Sequence, residues 1–223
     1  MNIERGLLWN QEPAVSRGIQ ANYTNGPVSA AASWNDGFYS DRFNWISASL
    51  AYTASAQDTL TLTGGGNFGR TAHADTATPL FQNNGQIYDL IYAHTSGSWT
   101  ISPYVQYSHV PADAALNIAQ SASTYAAAIL ASYALTNNWN ISGRMEYIQA
   151  TGSLSSGTPN LLYGPGSHAW SLTITPAYQN GIFFARADAA YVGIGGATPG
   201  AAFGPGLEKT AQLRLVLEAG VLF

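Results

Sequence analysis

Along most of this chain, apolar and polar residues alternate with a period of two. Trp99, Ile101, Pro103, Val105 and Tyr107 alternate with Thr100, Ser102, Tyr104, Gln106 and Ser108. Trp139, Ile141, Gly143, Met145 and Tyr147 alternate with Asn140, Ser142, Arg144 and Glu146. The same beat runs from Trp170 to Tyr178, from Phe183 to Tyr191 and from Leu213 to Phe223. A period of two sends successive side chains to opposite faces of a sheet. The pattern predicts eleven strands, at 15–24, 28–36, 43–54, 59–69, 87–96, 99–109, 123–135, 139–150, 168–179, 182–193 and 209–223. A strand of ~11 residues spans about 36 Å, or roughly 27 Å when tilted by ~40°. That matches the apolar band of a membrane barrel.

The connections alternate in length. Short ones fall at Asn25-Gly26-Pro27, Ser55 to Asp58, Gly97-Ser98, Thr136-Asn137-Asn138 and Asn180-Gly181. Longer ones occupy 70–86, 110–122, 151–167 and 194–208, with a modest one at 37–42. Short periplasmic turns facing long extracellular loops are the asymmetry of outer-membrane barrels. Aromatics mark the short-turn end, at Tyr23, Tyr52, Trp99, Tyr133, Trp139, Tyr178, Phe183 and Phe223, where a headgroup-level girdle is expected. Tyr163-Gly-Pro-Gly and Phe203-Gly-Pro-Gly recur in successive long loops.

Composition sharpens the picture. Charged residues make up 9% of the 223 residues and aromatics 12%, whereas soluble domains carry about 25% charge. No apolar run approaches the ~18 residues of a membrane helix. The expected fold is all-β: a transmembrane antiparallel up-and-down β-barrel with about 11–12 strands in this chain, forming one domain over residues 1–223. The net charge of −4, without a basic block, excludes a nucleic-acid partner. Cysteine is absent, which suits an oxidising periplasmic route.

The segment from Met1 has neither a basic start nor a long apolar stretch, so it is no signal peptide. An odd strand number is unusual for bacterial barrels. The expectation is therefore that strands lie upstream, and that Met1 to Ala14 begins on the extracellular side unless residues 2–10 form a twelfth strand.

The charges of the later strands share one face. Arg144, Glu146, Arg186, Asp188, Arg214 and Glu218 lie opposite the apolar stripe. An Arg facing lipid at mid-depth costs about 2–4 kcal/mol, so inward placement is favoured. They read as pore-lining residues, either bracing the interior as ion pairs or tuning ion passage. Arg186 and Glu218 fall at equal height on sequential strands and suit a cross-strand pair. Catalytic and metal-binding residues are not expected. The four histidines are scattered, with His94 and His109 at opposite strand ends, His73 in a loop and His168 at a rim. No Gly-x-Ser-x-Gly occurs, no His or carboxylate cluster has ligand spacing, and no cofactor motif is present. Gly64-Gly-Gly66 lacks the lysine and helix of a phosphate loop; in a strand it permits bending or close approach.

Several stretches together resemble the OmpL-like outer-membrane β-barrel porins. They are Gly6-Leu-Leu-Trp-Asn-Gln-Glu-Pro with Ser16-Arg-Gly, Ser33-Trp-Asn-Asp-Gly-Phe-Tyr-Ser, Asn160-Leu-Leu-Tyr-Gly-Pro-Gly-Ser and the ending Leu217-Glu-Ala-Gly-Val-Leu-Phe223. The resemblance covers nearly the whole chain. It implies an outer-membrane location, lipid surroundings, and passive passage of small hydrophilic solutes or ions. The alternative is a closed or plugged barrel with a structural or surface-interaction role. Leu217, Ala219, Val221 and Phe223 are similar to the C-terminal signal read by the barrel-assembly machinery, although Ala219 is small for such a signal. Oligomeric state and solute selectivity stay open.

Overall fold

The computed structural model describes residues 2–15, 17–75 and 78–222. Eleven strands follow one another in a single antiparallel sheet, each paired with its sequence neighbours. They are β1 (Gly18–Asn25), β2 (Val28–Asn35), β3 (Trp45–Thr53), β4 (Asp58–Asn67), β5 (Gln86–Ser96), β6 (Trp99–Val110), β7 (Ala122–Ala134), β8 (Trp139–Ala150), β9 (His168–Asn180), β10 (Phe183–Gly195) and β11 (Ala211–Val221). All eleven strands expected from the alternation are present, with ends shifted by no more than three residues. A four-residue helix, α1 (Leu80–Asn83), sits in the first long loop. The sheet is not closed: among the described residues, the outer edges of β1 and β11 carry no neighbouring strand.

The tight turns put glycine first. Asn25 pairs with Val28, Ser96 with Trp99 and Asn180 with Phe183. The central pairs are therefore Gly26-Pro27, Gly97-Ser98 and Gly181-Ile182. Each glycine has a positive φ, near +54 to +58°, and the residue after it does not. This is the pattern of a type II′ hairpin, which needs glycine in the first position only. Asn25 and Asn180 remain strand residues rather than turn centres.

One sheet face is apolar and exposed. Val105, Ile129, Met145, Leu172, Ile174, Leu215 and Leu217 all point outward, Leu217 with 84% of its surface free. On a barrel wall, an exposed apolar face of this extent is the lipid-facing surface. Rings pair across strands at both of its borders. Trp99 meets Tyr133 (4.5 Å) and Trp139 meets Tyr178 (5.0 Å) at the short-turn border. Tyr107 meets Tyr125 (5.1 Å) and Trp170 meets Tyr191 (5.1 Å) at the other. On β8 the two belts are marked by Trp139 and Tyr147, separated by roughly 27 Å along the strand and about 20 Å after tilt.

The ladder skips rungs at two places without changing register. Between β5 and β6 the pairing passes from Ile91↔Tyr104 to His94↔Ile101, omitting Pro103. Between β9 and β10 it passes from Arg186↔Ala177 to Ala189↔Ile174, omitting Pro176. Proline has no N–H to donate, so each break falls where the sequence requires it. In β4 the Gly64-Gly-Gly66 run admits close neighbours. A Cβ on Gly64 would stand 2.8 Å from the Tyr88 ring, and one on Gly65 2.9 Å from the Trp45 indole nitrogen.

Candidate functional site

The opposite, inner face of the sheet carries the polar side chains, and the N-terminal segment lies against it. Here an expectation is corrected. Residues 2–12 neither begin on the extracellular side nor form a twelfth strand; they start against the middle of β9 and β10 and run along the inner face, with a 3-10 turn at Leu8–Gln11. The physical reason is donor satisfaction. This stretch has no period-two pattern, so its backbone groups find partners on the wall instead of in a ladder. The Ile3 amide donates to Asp188 (3.0 Å), and Asn2 Nδ2 donates to Thr175 Oγ1 (2.7 Å). The amides of Leu7 and Leu8 donate to the two carboxylate oxygens of Glu146, at 3.0 and 3.2 Å. Arg144 Nη1 donates to the Glu4 carbonyl at 2.9 Å, and Gln11 reaches the Leu161 carbonyl at 2.9 Å. We call this segment the strap.

Glu146 is its main anchor. Only 2% of Glu146 and 8% of Arg144 is exposed. Besides the two strap amides, the Glu146 carboxylate accepts from Arg144 Nε (3.1 Å) and Ser171 Oγ (2.6 Å). A buried carboxylate persists only with such a full set of donors. Gly6 makes the approach possible, because a Cβ there would overlap the Glu146 carboxylate. Leu7 and Leu8 then pack with Ala126, Ala128, Ile148, Ala169 and Ile194, under a roof that includes Tyr163 and Phe203. The two Gly-Pro-Gly loops thus meet edge to face, their rings 5.4 Å apart.

The six charges singled out in the sequence all lie on this inner face. Arg144 and Glu146 are covered by the strap. Asp188 is buried and holds the Ile3 amide, with Thr175 Oγ1 at 3.2 Å. Arg186 pairs with Glu218 directly across the β10–β11 ladder. Arg214 faces Glu4 of the strap at 3.6 Å. Leu217, Ala219 and Val221 line the outward face of β11, while Phe223 lies outside the described residues.

The strap crowds β6 to β10 and leaves the wall from β1 to β5 free. There the inner side chains are small and mostly hydroxylated. A cavity of about 200 Å³ is lined by Gln20, Ala31, Ser33, Ser47, Ser49 and Thr63, with Glu12, Pro13 and Asp89 along its strap side. Glu12 Oε1 accepts from Gln106 Nε2 (2.7 Å), and Asp89 Oδ2 accepts from Thr63 Oγ1 (3.0 Å). Burial, and then the negative charge of Asp89, push the Glu12 carboxyl up to about 7 despite the Gln106 hydrogen bond. Sequence reading passed over both carboxylates. Asp89 was accessible to it, since alternation in Ile87-Tyr88-Asp89-Leu90-Ile91 turns it inward; Glu12 sits in a stretch with no period.

Two of the histidines sit against polar partners. His94 Nδ1 lies 2.7 Å from Asp58, but Ser55 donates to that same carboxylate (2.6 Å) rather than to the imidazole. His109 shares a hydrogen bond with Ser123 (2.9 Å). No group of three metal-ligating side chains occurs among the described residues.

A lipid-facing apolar belt between two aromatic borders, wrapped around a polar interior, defines an outer-membrane β-barrel. All of residues 1–223 match the family described as "Putative beta-barrel porin-2, OmpL-like", and the chain belongs to that family. It is an outer-membrane protein of the Gram-negative type. A similar solved structure is OmpTdeltaL8, a loop L8 deletion mutant of OmpT, an outer membrane protein of Vibrio cholerae. It superposes with a TM-score of 0.63 at 10% identity, over 92% of this chain and 62% of that one. At that identity the likeness is one of fold, and this chain spans 62% of that protein's length. Among curated proteins, none matches the sequence.

Proposed function

We propose that the protein is a porin through which small hydrophilic solutes or ions diffuse passively along the β1–β5 side of the lumen. The observation that carries this reading is the asymmetry of the interior. One wall is filled by the strap, while the other is lined by alanine, serine, threonine and glycine beside open space. Small hydroxylated walls hydrogen-bond water without blocking it, as a diffusion path requires. On this reading Arg144, Glu146 and Asp188 set the bore by holding the strap, and Arg186, Arg214 and Glu218 border the free part of the lumen. Leu217, Ala219, Val221 and the terminal Phe223 would present the outward edge read by the barrel-assembly machinery.

The strap also supports a second reading, a closed barrel with a structural role, because Leu7 and Leu8 make a dry plug against the wall. Planar-bilayer recording separates the two. Discrete conductance steps from the folded wild type support the porin. Silence from both the wild type and a strap-released variant would leave the structural role.

A further inference from the structure

We propose that Arg5 of the strap and Arg214 of β11 form a subsite for a small monocarboxylate, beneath the roof that includes Tyr163 and Phe203. The inference deepens the porin reading by naming a solute class, and rests on it for transport though not for the binding itself. Both arginines line one cavity of about 150 Å³, bounded by the strap, the inner face of β8 to β11 and the two Gly-Pro-Gly loops. What marks this cavity is a surplus of hydrogen-bond donors. The Arg5 guanidinium lies over the Trp9 ring, its central carbon 3.6 Å from the centroid, and no carboxylate pairs with it among the described residues. An indole face stabilises the cation without taking its N–H groups as an oxygen acceptor would. Arg214 meets Glu4 at 3.6 Å, too far for a hydrogen bond, so its N–H groups also stay available. Gln212 and Tyr163 line the same cavity, and neither the amide nor the hydroxyl has a hydrogen-bond partner among the described residues.

The protein's own carboxylates do not absorb this surplus. Glu146 is already saturated by the Leu7 and Leu8 amides, Arg144 and Ser171. Arg144 in turn spends its N–H groups on Glu146, Thr173 and the Glu4 carbonyl. Against the carboxylates of Glu146 and Glu4, the guanidiniums of Arg5, Arg144 and Arg214 leave one positive charge uncancelled. A single surplus charge suits a monoanion. Charge alone would accept any anion, but the planar fork of arginine matches the two oxygens of a carboxylate, as a spherical halide does not. Ala190, Val192 and Phe203 give the same cavity an apolar side, which suits a short alkyl chain.

The test uses Arg5→Gln and Arg214→Gln, with Arg42→Gln in the 37–42 loop as the control. Saturation-transfer difference NMR on propionate, with the refolded chain in deuterated detergent, reads binding without conduction. The wild type should give a signal that saturates with propionate and survives an equal concentration of chloride. Each of the two variants should weaken binding by about fivefold or more, the weight of one unit charge at ~4 Å in a water-like medium. Arg42→Gln should bind as the wild type does. The proposal is overturned by the absence of a saturable signal from a heat-modifiable wild type, by equal displacement with chloride, by unchanged binding in both variants, or by an equal loss in Arg42→Gln. Bilayer recording tests the porin reading separately. Propionate binding by a silent barrel keeps the subsite and sinks the porin; conductance steps without propionate binding keep the porin and sink the subsite.

Discussion

Replacing Glu146 with alanine should release the strap. Its carboxylate accepts from Leu7 N, Leu8 N, Arg144 Nε and Ser171 Oγ. Removing it strands a buried guanidinium, and breaking a buried pair from one side costs roughly 3–5 kcal/mol. The share that falls on the strap is two amide-to-carboxylate hydrogen bonds, together about 3–6 kcal/mol. At 1.4 kcal/mol per factor of ten, the ratio of seated to released strap should drop by about 10² to 10⁴. The chain has no cysteine, so Leu8→Cys, at a fully buried position, reports release by its rate of thiol labelling. The expected result is fast labelling and a larger unit conductance in Glu146→Ala, with Glu146→Gln in between because it keeps one acceptor. Unchanged labelling and conductance in a properly folded Glu146→Ala barrel would refute the anchoring argument.

Gly6→Ala should act in the same direction, since its methyl displaces the Glu146 carboxylate; the same labelling rate checks it. Arg186→Ala should fold normally, because a half-exposed pair in a wet lumen contributes about 0–1 kcal/mol, and should shift reversal potentials toward cations. Failure of that variant to assemble would instead show the pair to be structural. The Arg70 guanidinium, 2.6 Å from Asp113, ties two long loops together and holds the Asp113 carboxyl below its usual range. A lowered carboxyl contributes its stabilisation above the ordinary aspartate value and loses it as pH falls through the lowered one. Crosslinking between these loops should therefore weaken only in strong acid, and weakening near neutrality would count against the pair. In detergent or lipid the chain should give β-rich circular dichroism and a heat-modifiable band. A monodisperse β-fold in plain buffer would contradict the lipid-facing belt.

The wall was legible in the sequence because a buried-or-exposed alternation is a local property of each strand. Strand positions, the inward turn of Arg144, Glu146, Arg186 and Asp188, and the Arg186–Glu218 register all follow from counting residues from a turn. The strap was not legible. Ile3-Glu4-Arg5-Gly6-Leu7-Leu8 has no period, and what positions it is the set of acceptors on strands more than a hundred residues later. Gly6 reads as a loop glycine until Glu146 is seen against it. The filling of one wall, and with it the isolation of Glu12 and Asp89 on the other, is likewise a long-range outcome that no local pattern encodes.

Pro103 and Pro176 have a consequence beyond their own strands. Each removes rungs from a ladder that is otherwise continuous, one between β5 and β6 and one between β9 and β10. Amide deuteration starts where neighbouring strands hold each other least. These two seams divide the cylinder wall into three staves, β1–β5, β6–β9 and β10–β11. Heated slowly in detergent, the barrel should come apart stave by stave. The middle stave, which carries both Arg144 and Glu146, should retain its protons longest.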